Sequence, residues 1–220
     1  MNFIKHSELN GVHAMFSPSQ SSWLRYDDQT MLDRYTGKYR TALGTEIHEY
    51  AAIQINLFLK ASSARNLVSG LTTYIYTKYQ GLKQPEYGMQ LIKSLEYIPQ
   101  EVFDTVKKYI NDAIGYKMTP EQPLYYSEYF FGTADTISFR DSFLRIHDLK
   151  TGDKQARMEQ LEVYAALFCL EYKFKPSDIQ MELRLYQSNE VIFHNPGAEE
   201  IDPIIEKIVY STKMIDKATK

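Results

Sequence analysis

The spacing of apolar residues changes period partway along this 220-residue chain. As far as about residue 115 the spacing is helical. About residues 18–34 read as a first helix, with Ser19 or Ser21 near its start. Gly37 then falls in a loop. A second helix opens at Gly44 and runs to about Lys60, with Thr45 as its N-cap and Ile47, Ala51, Ile55, Phe58 and Leu59 as its apolar face. Three more helical stretches fill about residues 66–115, separated by Gly81–Pro85 and by Ile98-Pro99. The last of them carries a regular stripe of Val102, Phe103, Val106, Tyr109, Ile110 and Ala113.

Strand formers then take over, beginning with Tyr125, Tyr126, Tyr129, Phe130 and Phe131. Strands are expected at about 123–131, 133–140 and 143–150, with a turn at Arg140-Asp141-Ser142. Leu161, Ala165 and Phe168 return to helical spacing. Ile179, Met181, Leu183 and Leu185 alternate with Gln180, Glu182 and Arg184, the pattern of a half-buried strand. A closing helix at about 198–217 turns Ile201, Ile204, Ile205, Ile208 and Val209 inward. The order β-β-β-α-β with flanking helices predicts an α/β fold: a mixed central sheet flanked by helices, with a helical elaboration at about 66–115. The length suits one domain with a sizeable core.

The chemistry concentrates where the strands are expected. Gly132-Thr-Ala-Asp135 is followed by Asp148-Leu149-Lys150. Asp148 and Lys150 are two apart on an extended chain, so they leave the same face. A hairpin brings Asp135 beside them. Two carboxylates and a lysine are costly to gather unless the acids hold a divalent cation, and hard oxygen ligands suit magnesium or manganese. The plain alternative is a surface hairpin with an Asp–Lys ion pair. Gln160 and Tyr164, i and i+4, share one helix face that can look back at the acids. Asp153 begins a polar approach to that helix. His48 and Glu49 stand in the first turns of the second helix, where a lone histidine is more often structural than a ligand.

The order of these parts resembles the RecB-like branch of the PD-(D/E)XK nuclease superfamily. The segments are Gly44-Thr-Glu-Ile-His48, Glu128-x-x-x-Gly132-x-x-Asp135, Asp148-x-Lys150-Thr-Gly152 and Gln160-x-x-x-Tyr164. Phe16-Ser17-Pro18-Ser19 followed by Trp23-Leu24 resembles the Ser-x-Ser segment of many members. The resemblance covers roughly residues 16–170. It implies a restriction-endonuclease-like core. His48, Asp135 and Asp148 would be metal ligands, joined by the backbone carbonyl of Leu149. Lys150 would be the catalytic lysine, and Gln160 and Tyr164 would support the site and meet substrate. Glu128 would be a further acidic contributor. Ala134 stands where the family name has proline. The iron–sulfur cluster of some relatives needs four cysteines, and this chain has only Cys169, read as a buried core residue.

Composition narrows the partners. No apolar run approaches the ~20 residues of a membrane span. Met1–Glu8 does not read as a signal peptide, and one cysteine suits a reducing compartment, so a cytoplasmic setting is expected (a host cytoplasm if the gene belongs to a phage). There is no P-loop and no nucleophile elbow. The net charge of −3 runs against general nucleic-acid binding. Local cations are nonetheless present: Arg34, Lys38 and Arg40, then Lys60 and Arg65, with Lys154 and Arg157 near the acids. Arg40, Lys154 and Arg157 are the candidates for substrate phosphates. Some of the 18 tyrosines and 11 phenylalanines are available to stack on bases. The expectation is a magnesium- or manganese-dependent deoxyribonuclease, an exonuclease more than a site-specific endonuclease. Its role would lie in recombination, repair or phage DNA processing, beside a recombination or replication partner. The alternative is a nucleic-acid-binding or assembly protein that keeps the fold and does not cut.

Overall fold

Asp27 begins the first long element. Its side chain accepts a hydrogen bond from the Thr30 amide (2.7 Å) and caps α1, Asp28–Asn56. The computed structural model describes residues 14–152 and 154–219. In it α1 runs unbroken through Gly37, so the expected loop at Gly37 and the expected start at Gly44–Thr45 are both corrected. A single glycine inside a helix costs only about 1 kcal/mol, which a cap and a long run of helix formers offset. The helix ends before Lys60. Phe58 has a left-handed backbone (φ 55°), and Phe58 and Leu59 are exposed instead of apolar-face residues. The stretch expected as a first helix divides into a 3-10 segment, Pro18–Arg25, and the first turns of α1.

The next helices fall where the pattern puts them: α2 Ala64–Gly81, α3 Pro85–Ser94 and α4 Gln100–Gly115. Five strands follow in chain order across one sheet: β1 Thr119–Ser127, β2 Phe130–Arg140, β3 Phe143–Leu149, β4 Gln180–Gln187 and β5 Glu190–His194. β3 and β4 are parallel and every other pair is antiparallel, so the sheet is mixed. The parallel pair is joined through α5, Glu159–Tyr172, and α6, Ala198–Ala218, closes the chain.

Two departures have local causes. The first hairpin turns at Glu128-Tyr129, inside the aromatic run that reads as one strand, because no Gly, Pro or Asn marks it. β5 is absent from the sequence reading. Its turn, Ser188-Asn189, uses two left-handed residues (φ 48° and 61°), as does Asp141-Ser142 between β2 and β3 (φ 50° and 57°).

Two cores lie on opposite sides of the sheet. Leu43, Ile47 and Ile55 of α1 pack with Leu71, Leu91 and Ile110 of the next three helices, and Leu149 and Tyr186 join them from β3 and β4. Leu144, Ile146, Leu183 and Leu185 pack instead with Leu161, Ala165 and Phe168 of α5 and Ile201 and Ile208 of α6. Cys169 is buried in this second core. Of the five expected inward residues of α6, Ile201 and Ile208 are fully buried and Ile204 and Ile205 pack partly against them.

Candidate functional site

Three carboxylates occupy one rung of the sheet. The register that pairs Pro120 with Thr136 and Gln122 with Ala134 sets Glu121 opposite Asp135. The register that pairs Thr136 with His147 sets Asp135 opposite Asp148. The backbone is irregular at this rung. Glu121 adopts a left-handed conformation (φ 52°). Ala134 and Ile137, three apart and not two, both enter the second core, so the alternation of β2 breaks around Asp135. Acids side by side on neighbouring strands repel, and a strained residue among them is the kind of cost a fold carries at a binding site.

His48 reaches this rung from α1. Its Nδ1 lies 3.4 Å from Asp135 Oδ2, and the ring hydrogen-bonds the Leu149 backbone. The Leu149 amide donates to the same Asp135 Oδ2 at 2.8 Å. Gly44 permits the approach: a Cβ there would stand 3.1 Å from the Thr151 hydroxyl, on the chain leaving β3. Ligand atoms of His48, Glu121 and Asp135 all lie within 4.8 Å of one another. The structure therefore brings Glu121 into the position that sequence reasoning gave to Glu128. Glu128 is exposed at the β1–β2 turn, seven positions before Asp135 along the chain. Hairpin symmetry alone does not find Glu121: a turn at Glu128-Tyr129 sets Gln122 opposite Asp135, and the bulge between Tyr125 and Ser127 shifts the register by one residue to Glu121.

Asp148 and Lys150 stand beside this group. Asp148 is buried, and its Oδ1 and Oδ2 lie 3.1 and 2.9 Å from Lys150 Nζ. Lys150 also donates to Gln160 Oε1 (2.9 Å), and Gln160 Nε2 donates to the Tyr164 hydroxyl (3.2 Å). The helix face of α5 does look back at the acids. Gly132 leaves room for it, since a Cβ there would come within 2.9 Å of the Tyr164 ring.

The electrostatics carry the mark of burial first and of neighbouring like charge second. Burial, then the neighbouring Asp135, push the Asp148 carboxyl up to about 6, against the pull of Lys150. Burial raises Asp135 as well, against the Leu149 amide and Lys150. Glu121 is raised by burial and by Asp135, and burial lowers His48. Among the described residues, buried Asp148 Oδ2 has no well-aligned hydrogen-bond donor despite the nearby ammonium. Carboxylates that repel, a buried oxygen with an unused lone pair and a neutral imidazole fit a hard divalent cation.

A cleft of about 740 Å³ opens over the group, lined among others by Arg40, His48, Glu121, Asp135 and Thr151. Arg40, one of the three expected phosphate contacts, is on its wall. Lys154 and Arg157 are not. They stand exposed on the segment between β3 and α5, which Gln187 pins by bonding Gly152 O, Lys154 O and the Ala156 amide. Asp153 lies outside the described residues. No helix among the described residues is long and apolar enough to cross a membrane.

The sequence profile of the DUF2800 family, described as a protein of unknown function, matches residues 13–187, and the chain belongs to that family. No curated protein and no solved structure matches it.

Proposed function

We propose that this DUF2800 protein is a metal-dependent nuclease of the PD-(D/E)XK kind, hydrolysing phosphodiester bonds in DNA. One observation carries the reading: three acids on one rung of the sheet, with His48 against Asp135 and Lys150 against Asp148. His48, Glu121, Asp135 and Asp148 would hold magnesium or manganese, with the Leu149 carbonyl beside them. The bound cation would neutralise the scissile phosphate and acidify the attacking water.

The protein's own groups have separable tasks. An ammonium has three donors. Asp148 and Gln160 engage two from Lys150 Nζ, which leaves one to hold the attacking water or a phosphate oxygen. Gln160 fixes the lysine, and Tyr164 fixes Gln160. Arg40 at the cleft wall would meet the phosphate backbone. In the reaction the water oxygen bonds to phosphorus, the bond from phosphorus to the leaving sugar oxygen breaks, and that oxygen leaves with a proton. No covalent enzyme intermediate is involved. An exonuclease acting in recombination, repair or phage DNA processing, with a partner protein, is the biological setting this reading favours.

The test is incubation of labelled single- and double-stranded DNA with magnesium, manganese or chelator. Metal-dependent product that is lost in Lys150→Ala supports the nuclease. Absence of product with every metal and substrate overturns it in favour of a protein that binds nucleic acid without cutting.

A further inference from the structure

The first half of α1 is the part of the fold that the cores explain least. Its buried residues begin at Leu43, and from Asp28 to Ala42 no side chain is fully buried. An isolated amphipathic helix depends on tertiary burial for most of its stability, so a long unburied arm calls for a reason. The arm and the 3-10 segment Pro18–Arg25 enclose a second cleft, of about 480 Å³. Phe16, Trp23 and Tyr26 contribute rings, and Arg34 and Lys38 contribute cations against one acid, Asp33. Gly37 and Thr41 line both clefts, so the second adjoins the candidate metal centre along α1.

The indole is held in place. Trp23 Nε1 donates to the Ser17 carbonyl at 3.0 Å. Ser17 is buried, and its hydroxyl lies 2.9 Å from that of Ser19. The Ser-x-Ser segment thus serves as a prop for the indole. The Arg34 guanidinium lies 5.7 Å from the centre of the Tyr26 ring. Trp23 and Tyr26 are both half-buried.

Held aromatic faces beside cations suit an unpaired strand: bases stack on rings without sequence preference, and phosphates take the positive charge. A duplex hides its base faces and has no use for the rings. We infer that the cleft carries a single nucleic-acid strand along the first half of α1, with bases on Trp23 and Tyr26 and phosphates on Arg34 and Lys38. Its continuation to the metal centre rests on the nuclease reading above. Arg34 and His48 are separated by about 21 Å of helix axis, at ~1.5 Å per residue, so oligonucleotides too short to span both clefts bind more weakly.

Trp23 is the chain's single tryptophan, which makes the test direct. Intrinsic fluorescence is recorded in chelator, where nothing is cut, against oligothymidylates of graded length. Saturable quenching that strengthens with length and fades with salt is expected. By anisotropy of a labelled oligothymidylate, Trp23→Ala weakens binding at least about fivefold and Trp23→Phe restores most of it. The double variant Arg34→Glu/Lys38→Glu also weakens binding and flattens the salt dependence. Unquenched tryptophan in a protein that still binds the oligomer overturns the strand path. So does DNA-independent dimerisation without any quenching that is lost in Leu24→Ser/Leu32→Ser, two exposed apolar residues of the 3-10 segment and α1, which would make the arm a contact between two copies. Quenching in a protein that cuts under no metal leaves the strand path and sinks the nuclease. Cleavage with unquenched tryptophan does the reverse.

Discussion

Asp148 and its neighbour His147 on β3 belong to two polar clusters of opposite character. On the His147 side, charges and donors are matched. Arg184 donates from Nε to Glu182 (2.9 Å) and from Nη2 to the Tyr116 hydroxyl (2.8 Å), and its Nη1 lies 3.5 Å from Asp112. Arg145 shares Glu182 from 3.1 Å, and the two guanidiniums lie over the Tyr116 ring at 4.7 and 4.6 Å. Tyr186 donates to Asp112 at 2.8 Å. Burial, then Arg184 and Arg145, push the His147 imidazole down to about 3, so it is neutral. With its proton on Nδ1 facing the Tyr186 oxygen (3.3 Å), Nε2, which has no partner among the described residues, carries only a lone pair, the cheaper group to leave buried. On the Asp148 side, three acids share one rung with too few donors. A satisfied buried network holds a fold, while a crowded acidic one costs stability until a ligand arrives.

That contrast breaks most visibly under mutation of the acidic side. Lys150→Ala or Asp148→Ala should lower metal-dependent cleavage by about a thousandfold while the circular dichroism of the protein stays unchanged. Arg184→Ala should do the opposite. It removes a buried cation from Glu182, Asp112 and Tyr116, and should cost about 3 kcal/mol in denaturant unfolding while leaving metal affinity intact. Equal effects of both substitutions on stability would erase the distinction.

The sign of the pH response sharpens it. The Asp148 carboxyl titrates near 6 when folded, against about 3.9 in an unfolded chain. The folded state therefore holds the extra proton between these values, and stability falls as pH rises through that window. Asp148→Asn should raise the metal-free stability at neutral pH by on the order of 2 kcal/mol, because Lys150 is partly exposed and can turn to water. Thermal melts of both proteins across the window, in chelator, check this. A destabilised Asn variant contradicts it.

Smaller effects separate the ligands from their supports. Glu121→Gln should raise the manganese concentration for half-maximal activity at least about tenfold, and Glu128→Gln should not move it. Tyr164→Phe removes only the hydroxyl that steadies Gln160, and should reduce turnover about fivefold with little change in melting temperature.

These residues also mark how far the sequence was legible. The pairing of Asp148 with Lys150 and of Gln160 with Tyr164 is legible, because strand alternation and i, i+4 helix spacing are local rules, and Asp135 follows from the expected hairpin although the alternation of β2 breaks there. Glu121 is not, since its place depends on a turn hidden in an aromatic run and on the bulge that precedes it. The continuity of α1 was missed because Gly37 and Gly44 read as punctuation. Gly44 instead lets the helix pass Thr151, a contact that no local pattern encodes. Arg184 reads as an ordinary strand residue and Tyr186 gives no local signal, because their partners Asp112 and Tyr116 lie on a distant helix end.

The most direct measurement is a crystal soaked in manganese and read by anomalous scattering. The account predicts a peak bounded by His48, Glu121, Asp135 and Asp148. A peak confined to the other His-carboxylate cluster, Glu162, His194 and Glu200, with the rung carboxylates turned apart, would contradict it.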